Sequence, residues 1–69
     1  MRAESMIGLA IKAARQALGL TLAEVGYALG VTRQYVHAWE SGRRNPGPKH
    51  LAKLAEVLGL QVTDLLPKR

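Results

Sequence analysis

The sequence predicts an all-α domain of five short helices, and three observations carry that prediction. A phrase recurs along the chain as Ala17-Leu18-Gly19-Leu20-Thr21, as Ala28-Leu29-Gly30-Val31-Thr32 and, more loosely, as Val57-Leu58-Gly59-Leu60-Gln61. In each, a core leucine ends a helix and glycine takes the left-handed position after it, where it meets no Cβ clash. An apolar residue follows, then a residue that caps the next helix. The spacings are unequal, so the phrase is punctuation rather than a domain repeat. Secondly, Thr21-Leu22-Ala23-Glu24 has the form of a capping box. Thirdly, Leu20 with Val25 and Val31 with Val36 have the spacing of hydrophobic staples, which places helix starts at Leu22 and Arg33. The plan contains no strands and no low-complexity linker.

In chain order, Arg2 to Glu4 read as a frayed terminus. Ser5 is placed to cap a first helix running to about Leu18. Ile7, Ile11, Ala14 and Leu18 form its apolar stripe, Arg15 lies at the stripe's edge, and Leu9 points away, either singly exposed or toward another subunit. The second helix, Leu22 to Leu29, carries Gly26 inside it, which costs about 1 kcal/mol relative to alanine and predicts close approach of another helix there. The third helix is Arg33 to Glu40. At about 100° per residue, Val36 and Trp39 share an inner edge, which places Trp39 in the core. Arg33, Gln34, His37, Ala38 and Ser41 form the opposite arc. A helix this short must dock its inner edge on a core to persist. Two short helices joined by a glycine-containing turn are the helix-turn-helix signature.

Ser41-Gly42-Arg43-Arg44-Asn45-Pro46-Gly47 is rich in turn formers. Gly47 can cap a fourth helix with Pro48 at its first position. That helix, to about Leu58, should bury Leu51, Leu54, Ala55 and Leu58 and turn Lys49, Lys53 and Glu56 outward. A fifth helix from about Val62 to Leu66 stops at Pro67, leaving Lys68 and Arg69 as a loose basic end.

Composition narrows the function. The chain has 69 residues, which is one small domain (1-69) with a core a few helices deep. It has no cysteine, so no disulfide and no thiolate metal site. No apolar run is long enough to span a bilayer, and Met1 to Ile11 is too polar and short for a secretory segment. The expected location is therefore the cytoplasm, in association with the nucleoid, with no membrane partner. The net charge is +5. Arg33, Arg43, Arg44 and Lys49 are opposed only by Glu40 between Thr32 and His50, which points to a polyanion; charge alone fits a merely basic soluble protein equally well. Enzyme readings find little support. His37 and His50 have no further ligand at metal spacing. Ser5 and Ser41 lack a nearby base and orienting group. No cofactor and no small-molecule substrate are expected.

The stretch LGVTRQYVHAWESGRRNP resembles the DNA-binding domains of the lambda-repressor and Cro type, also called the xenobiotic-response-element type. The resemblance covers about residues 7-66. It rests on Ile7-Gly8, Arg15, Leu18-Gly19-Leu20-Thr21, Leu29-Gly30-Val31-Thr32, Trp39-Glu40-Ser41-Gly42-Arg43, Asn45-Pro46 and a closing Leu-Ala-x-x-Leu-Gly. It implies a five-helix lambda-repressor-like fold whose third helix enters a DNA major groove. It also implies that Arg33, Gln34, His37 and Ala38 occupy base-reading positions. Ser41, Arg43 and Asn45 match phosphate-contacting positions, and Arg15 and Glu40 match an ion pair between helices one and three. Three positions depart from the pattern. Leu22 stands where a bracing, phosphate-holding glutamine is common, Gly26 where alanine is usual, and Gly47 where serine caps helix four. Tyr35 is large for its position, and its hydroxyl is a candidate substitute for a lost phosphate contact.

The chemistry of these side chains fits such roles. Arginine at a helix start opposes the macrodipole, so Arg33 is better explained by function. A bidentate contact to guanine is worth about 1–3 kcal/mol of discrimination, with a phosphate contact as the runner-up. Gln34 suits adenine and the Ala38 methyl suits the thymine methyl, while His37 could meet a base, a phosphate or nothing. Arg44 and Lys49 join the expected backbone contacts, which fix register without reading sequence. The leading expectation is a sequence-specific double-stranded DNA-binding regulator, a repressor acting as a homodimer on a palindromic operator. Leu60, Val62, Leu65 and Leu66 form its expected dimer surface. The alternative is an antitoxin-like or adaptor module whose main partner is another protein, met through Leu9 and the apolar C-terminal end.

Overall fold

The computed structural model of the protein describes residues 3-65, with side chains from residue 7 onward. Four α-helices follow one another: α1 (Ala3–Ala17), α2 (Leu22–Leu29), α3 (Arg33–Ser41) and α4 (Pro48–Leu58). A closing 3-10 helix spans Val62–Leu65. The expected fifth α-helix is therefore corrected to a single 3-10 turn among the described residues. The Asp64 N–H donates to the Gln61 carbonyl at 2.9 Å, the i to i+3 bond of such a turn, and the Asp64 carboxylate caps it by accepting from the Gln61 backbone N–H at 2.9 Å. Leu66 and the basic end at Lys68 and Arg69 lie outside the described residues. At the other end, α1 already includes Ser5, so that residue lies inside the helix instead of capping it. Ala3 and Glu4 are good helix formers and let the backbone continue upstream.

Local chemistry sets the start and stop of the two central helices. The Glu24 N–H donates to Thr21 Oγ1 at 3.0 Å, and the Thr21 N–H donates to Glu24 Oε1 at 2.8 Å, which completes the capping box of α2. Thr32 caps α3 by accepting from the Tyr35 N–H at 3.2 Å. Each helix ends in the same closure. At Gly30, φ is 75°, the Gly30 N–H reaches the Tyr27 carbonyl and the Val31 N–H reaches the Gly26 carbonyl at 2.9 Å. Gly42, at φ 82°, closes α3 in the same way, with the Arg43 N–H on the Ala38 carbonyl at 3.0 Å. This is the Schellman arrangement, and the positive φ is what restricts the position to glycine.

The core is built from Ile7, Ile11, Val25, Val36, Trp39, Leu54, Ala55, Leu58 and Leu65, with Leu20, Val31, Leu51 and Leu60 packed around it. Helices α1 and α2 both pack on α3, which fixes the central helix from two sides. Leu18 departs from the expected stripe and is 54% exposed. Leu18 stands at the very end of the helix, its N–H still on the Ala14 carbonyl at 3.2 Å, and Leu20, after the turn, packs against the core.

Two glycines record close approach. A Cβ on Gly26 would stand 2.7 Å from the Val31 carbonyl oxygen, so the chain that comes close is the α2–α3 turn itself. A Cβ on Gly8 would stand 2.6 Å from the Trp39 carbonyl oxygen and nearer still to that of Glu40. There α1 lies directly on the last turn of α3.

Candidate nucleic-acid interface

Helix α3 presents opposite faces to core and solvent. Val36 and Trp39 are fully enclosed, and Arg33, Gln34 and His37 are exposed on the other side. Two shallow hollows flank this outer face. One is lined by Leu22, Arg33, Gln34, His37 and Arg43. The other is lined by Thr32, Gln34, Tyr35, Ala38, Arg43 and Arg44. Gln34 and Arg43 border both, so the helix start and the following loop make one continuous surface. Leu22, at the start of α2, closes it with an apolar side chain.

Ala38 is the exception among the expected base-reading residues. It is only 6% exposed, and the chain after Gly42 folds back to its carbonyl. The Ala38 carbonyl accepts from the Arg43 and Arg44 N–H groups at 3.0 and 3.2 Å, and from the Ser41 hydroxyl at 3.2 Å. A side chain so enclosed has little surface to offer a thymine. The same hydrogen bond turns the Ser41 hydroxyl inward, so donating to a phosphate would require it to release Ala38.

The orientation of α3 is held by a buried ion pair. Arg15 Nε donates to Glu40 Oε2 at 2.6 Å, and Nη2 donates to Oε1 at 3.1 Å. Arg15 Nη1 also donates to the Leu20 carbonyl at 2.9 Å, which ties the α1–α2 turn to the same group. The two side chains keep only 11% and 4% of their exposure. The hydrogen bonds it donates to Glu40 hold the Arg15 guanidinium above the ordinary arginine range; burial pulls it down and the Glu40 charge adds to the rise. A fork-to-fork pair of this kind sets geometry as well as energy.

The described carboxylates are each engaged within the chain, while several cations of this surface are not. All four described carboxylates have internal partners: Glu24 in its capping box, Glu40 on Arg15, Glu56 on Lys53 and Asp64 on Gln61. Among the described residues, Arg33, Arg43, Arg44 and Lys49 are in no ion pair. Their side chains, and that of Asn45, are exposed. Positive charge is thus left unopposed along the α3 start, the α3–α4 loop and the start of α4. Gly47 caps α4 through its backbone alone, with Pro48 next.

Sequence reasoning missed an aromatic stack beside this surface. The Tyr35 and Trp39 rings stack at 5.5 Å, the Trp39 and His50 rings lie 5.2 Å apart, and the Arg44 guanidinium sits 5.6 Å from the Tyr35 centroid. The spacing of Tyr35 and Trp39 on a helix signals their contact. Nothing in the sequence signals the arrival of Arg44. The expected dimer surface is also narrower than anticipated. Leu65 is completely buried in the domain's own core, Leu60 is half-buried, and Val62 is 41% exposed. The 3-10 turn points Leu65 inward between α1 and α4, so it is corrected from surface to core.

Two short helices at a glycine turn, the second docked by its inner edge and open along its outer one, define a helix-turn-helix domain. The profile of a helix-turn-helix family matches residues 11–65. The chain is 35% identical over 66 residues to the uncharacterized HTH-type transcriptional regulator y4dJ of Sinorhizobium fredii, covering 96% of this chain and 86% of that protein. It is similar to the P22 c2 repressor, crystallised with a synthetic operator: TM-score 0.85, 28% identity, 88% of this chain and 92% of the other. The restriction-modification controller protein C.AhdI of Aeromonas hydrophila is similar too: TM-score 0.82, 29% identity, 90% of this chain and 94% of the other. The chain belongs to the lambda-repressor and Cro-like helix-turn-helix family of DNA-binding transcriptional regulators.

Proposed function

We propose that this domain represses transcription by occupying a palindromic operator as a homodimer, with α3 in the major groove of each half-site. The observation that carries the reading is the outer face of α3. Arg33, Gln34 and His37 are exposed on it and border the same hollow as Arg43, while the carboxylates nearby are engaged internally. A guanidinium and a carboxamide at the start of a docked helix are the groups that pair bidentately with guanine and adenine edges. Arg43, Arg44, Asn45 and Lys49, on the following loop and helix start, supply the backbone contacts that fix register. Ser41 joins them only by exchanging its internal hydrogen bond.

One such face reads a few base pairs, and two-fold pairing multiplies affinity. Val62, with the edge of Leu60, is the subunit contact in this proposal, and the P22 c2 repressor–operator complex supports the mode of binding. Regulation follows from occupancy, in the cytoplasm and at the nucleoid. The test is selection from a random duplex library near physiological salt. An enriched palindrome with half-site centres about 34–36 Å apart is expected. Absence of enrichment, with weak salt-sensitive binding alone, would favour a protein partner met through the exposed Leu9 and the C-terminal end.

A further inference from the structure

We propose that Tyr35 serves DNA binding through its ring and not its hydroxyl: it is the platform that holds Arg44 toward the DNA backbone. The proposal rests on the DNA-binding reading above and assigns Tyr35 as a positioning residue within it.

The geometry is that of a layered stack anchored in the core. Trp39 is enclosed and lies against both His50 and Tyr35, at 5.2 and 5.5 Å between centroids. The Tyr35 ring is inclined by only 29° to Trp39, and His50 also meets its edge at 6.2 Å. Its lower side is therefore fixed by residues of α3 and α4. The Arg44 guanidinium lies over the ring, with Cζ 5.6 Å from the centroid, inside the range of a cation–π contact. The Arg44 backbone is held as well, because its N–H donates to the Ala38 carbonyl at 3.2 Å. Root and tip of the side chain are both located before any ligand arrives.

The type of contact matters. An arginine held by a carboxylate has its N–H groups occupied and its charge cancelled. An arginine lying on a ring keeps both, since stacking uses the face of the guanidinium and leaves the donors at its edge. A long, free side chain loses rotamer freedom when it is immobilised at an interface, and a platform present beforehand removes part of that loss. Among the described residues no carboxylate pairs with Arg44. The Tyr35 ring thus orients a phosphate-binding cation without neutralising it.

The test measures affinity for the selected duplex across a salt series for wild type, Tyr35→Phe, Tyr35→Leu, Arg44→Ala and the Tyr35→Leu/Arg44→Ala double variant. Thermal melts establish that each is folded, and Tyr35→Met replaces the leucine variant should that one melt early. Loss of one phosphate contact lowers the slope of log K against log salt by about one. Arg44→Ala should show this in full; Tyr35→Leu, which leaves Arg44 charged but unplaced, should lose about two- to fivefold in affinity with a smaller drop in slope. Tyr35→Phe should keep the wild-type slope, and the double variant should match Arg44→Ala. A phenylalanine variant as weak as the leucine one would overturn the proposal in favour of a hydroxyl contact. A leucine variant that binds as tightly as wild type, or effects that add in the double variant, would also overturn it. Wild-type protein without salt-dependent DNA binding would sink the DNA-binding reading itself, and this proposal with it.

Discussion

Replacing Gly8 by alanine should destabilise the domain, although alanine is the better helix former. Helix propensity alone favours the change by about 1 kcal/mol. Against this stands the contact with α3. The new Cβ would lie 2.6 Å from the Trp39 oxygen and nearer still to that of Glu40, so α1 and α3 must separate by at least about 0.8 Å to reach ordinary contact distance. The atoms it meets are backbone carbonyls in the last turn of α3, which have no rotamer to swing away. Overpacking a tight site costs about 1–3 kcal/mol, and backbone obstacles belong at the upper end. Separation also strains the Arg15–Glu40 pair, which bridges the same two helices. The net expectation is a loss of about 1–2 kcal/mol. With a urea m-value near 1 kcal/mol/M for a domain of this size, the midpoint should fall by about 1–2 M with the slope unchanged. Gly47→Ser is the control, since nothing lies within 4 Å of a Cβ there and serine suits an N-cap, and its stability should stay within about 0.5 kcal/mol of wild type. A Gly8→Ala midpoint equal to or above wild type would refute the claim that close approach at Gly8 sets the seating of α3.

Three further outcomes are expected. Arg15→Ala or Glu40→Gln each leaves a buried group without its partner and should cost about 3–5 kcal/mol in chemical denaturation, whereas Arg15→Met with Glu40→Leu should cost less than either. The raised Arg15 value adds a sign: its contribution is complete below the ordinary arginine range and is lost only as pH climbs through the still higher folded value, so between about pH 6 and 9 its share of stability should stay constant. Gly47→Ser adds a side-chain cap that α4 lacks and should stabilise by a few tenths of a kcal/mol, read as a small rise in melting temperature.

What the sequence revealed was local. The capping box at Thr21, the Thr32 cap and the glycine closures depend on residues within five positions of one another, so each could be read directly from spacing. The inner edge of α3 was equally legible because Val36 and Trp39 follow helical periodicity. Residues beyond the helix ends were not. Leu18 lies one position past its helix, and Ala38 is buried where the chain returns to its carbonyl after Gly42. Leu65 turns inward because a 3-10 turn replaces an α-helix. The Tyr35–Arg44 contact depends on where that same loop comes to rest, which no spacing rule specifies. Sequence thus located the site's helix and its charge, and the structure decided which side chains of the arc are free.

The central claim is that the outer face of α3 reads base pairs. Parallel library selections with wild type and Gln34→Ala test it most directly. The account predicts one palindromic consensus for both proteins, with preference lost in the variant at a single base pair, repeated symmetrically in each half-site. An unchanged consensus, or a uniform weakening at every position, would contradict it.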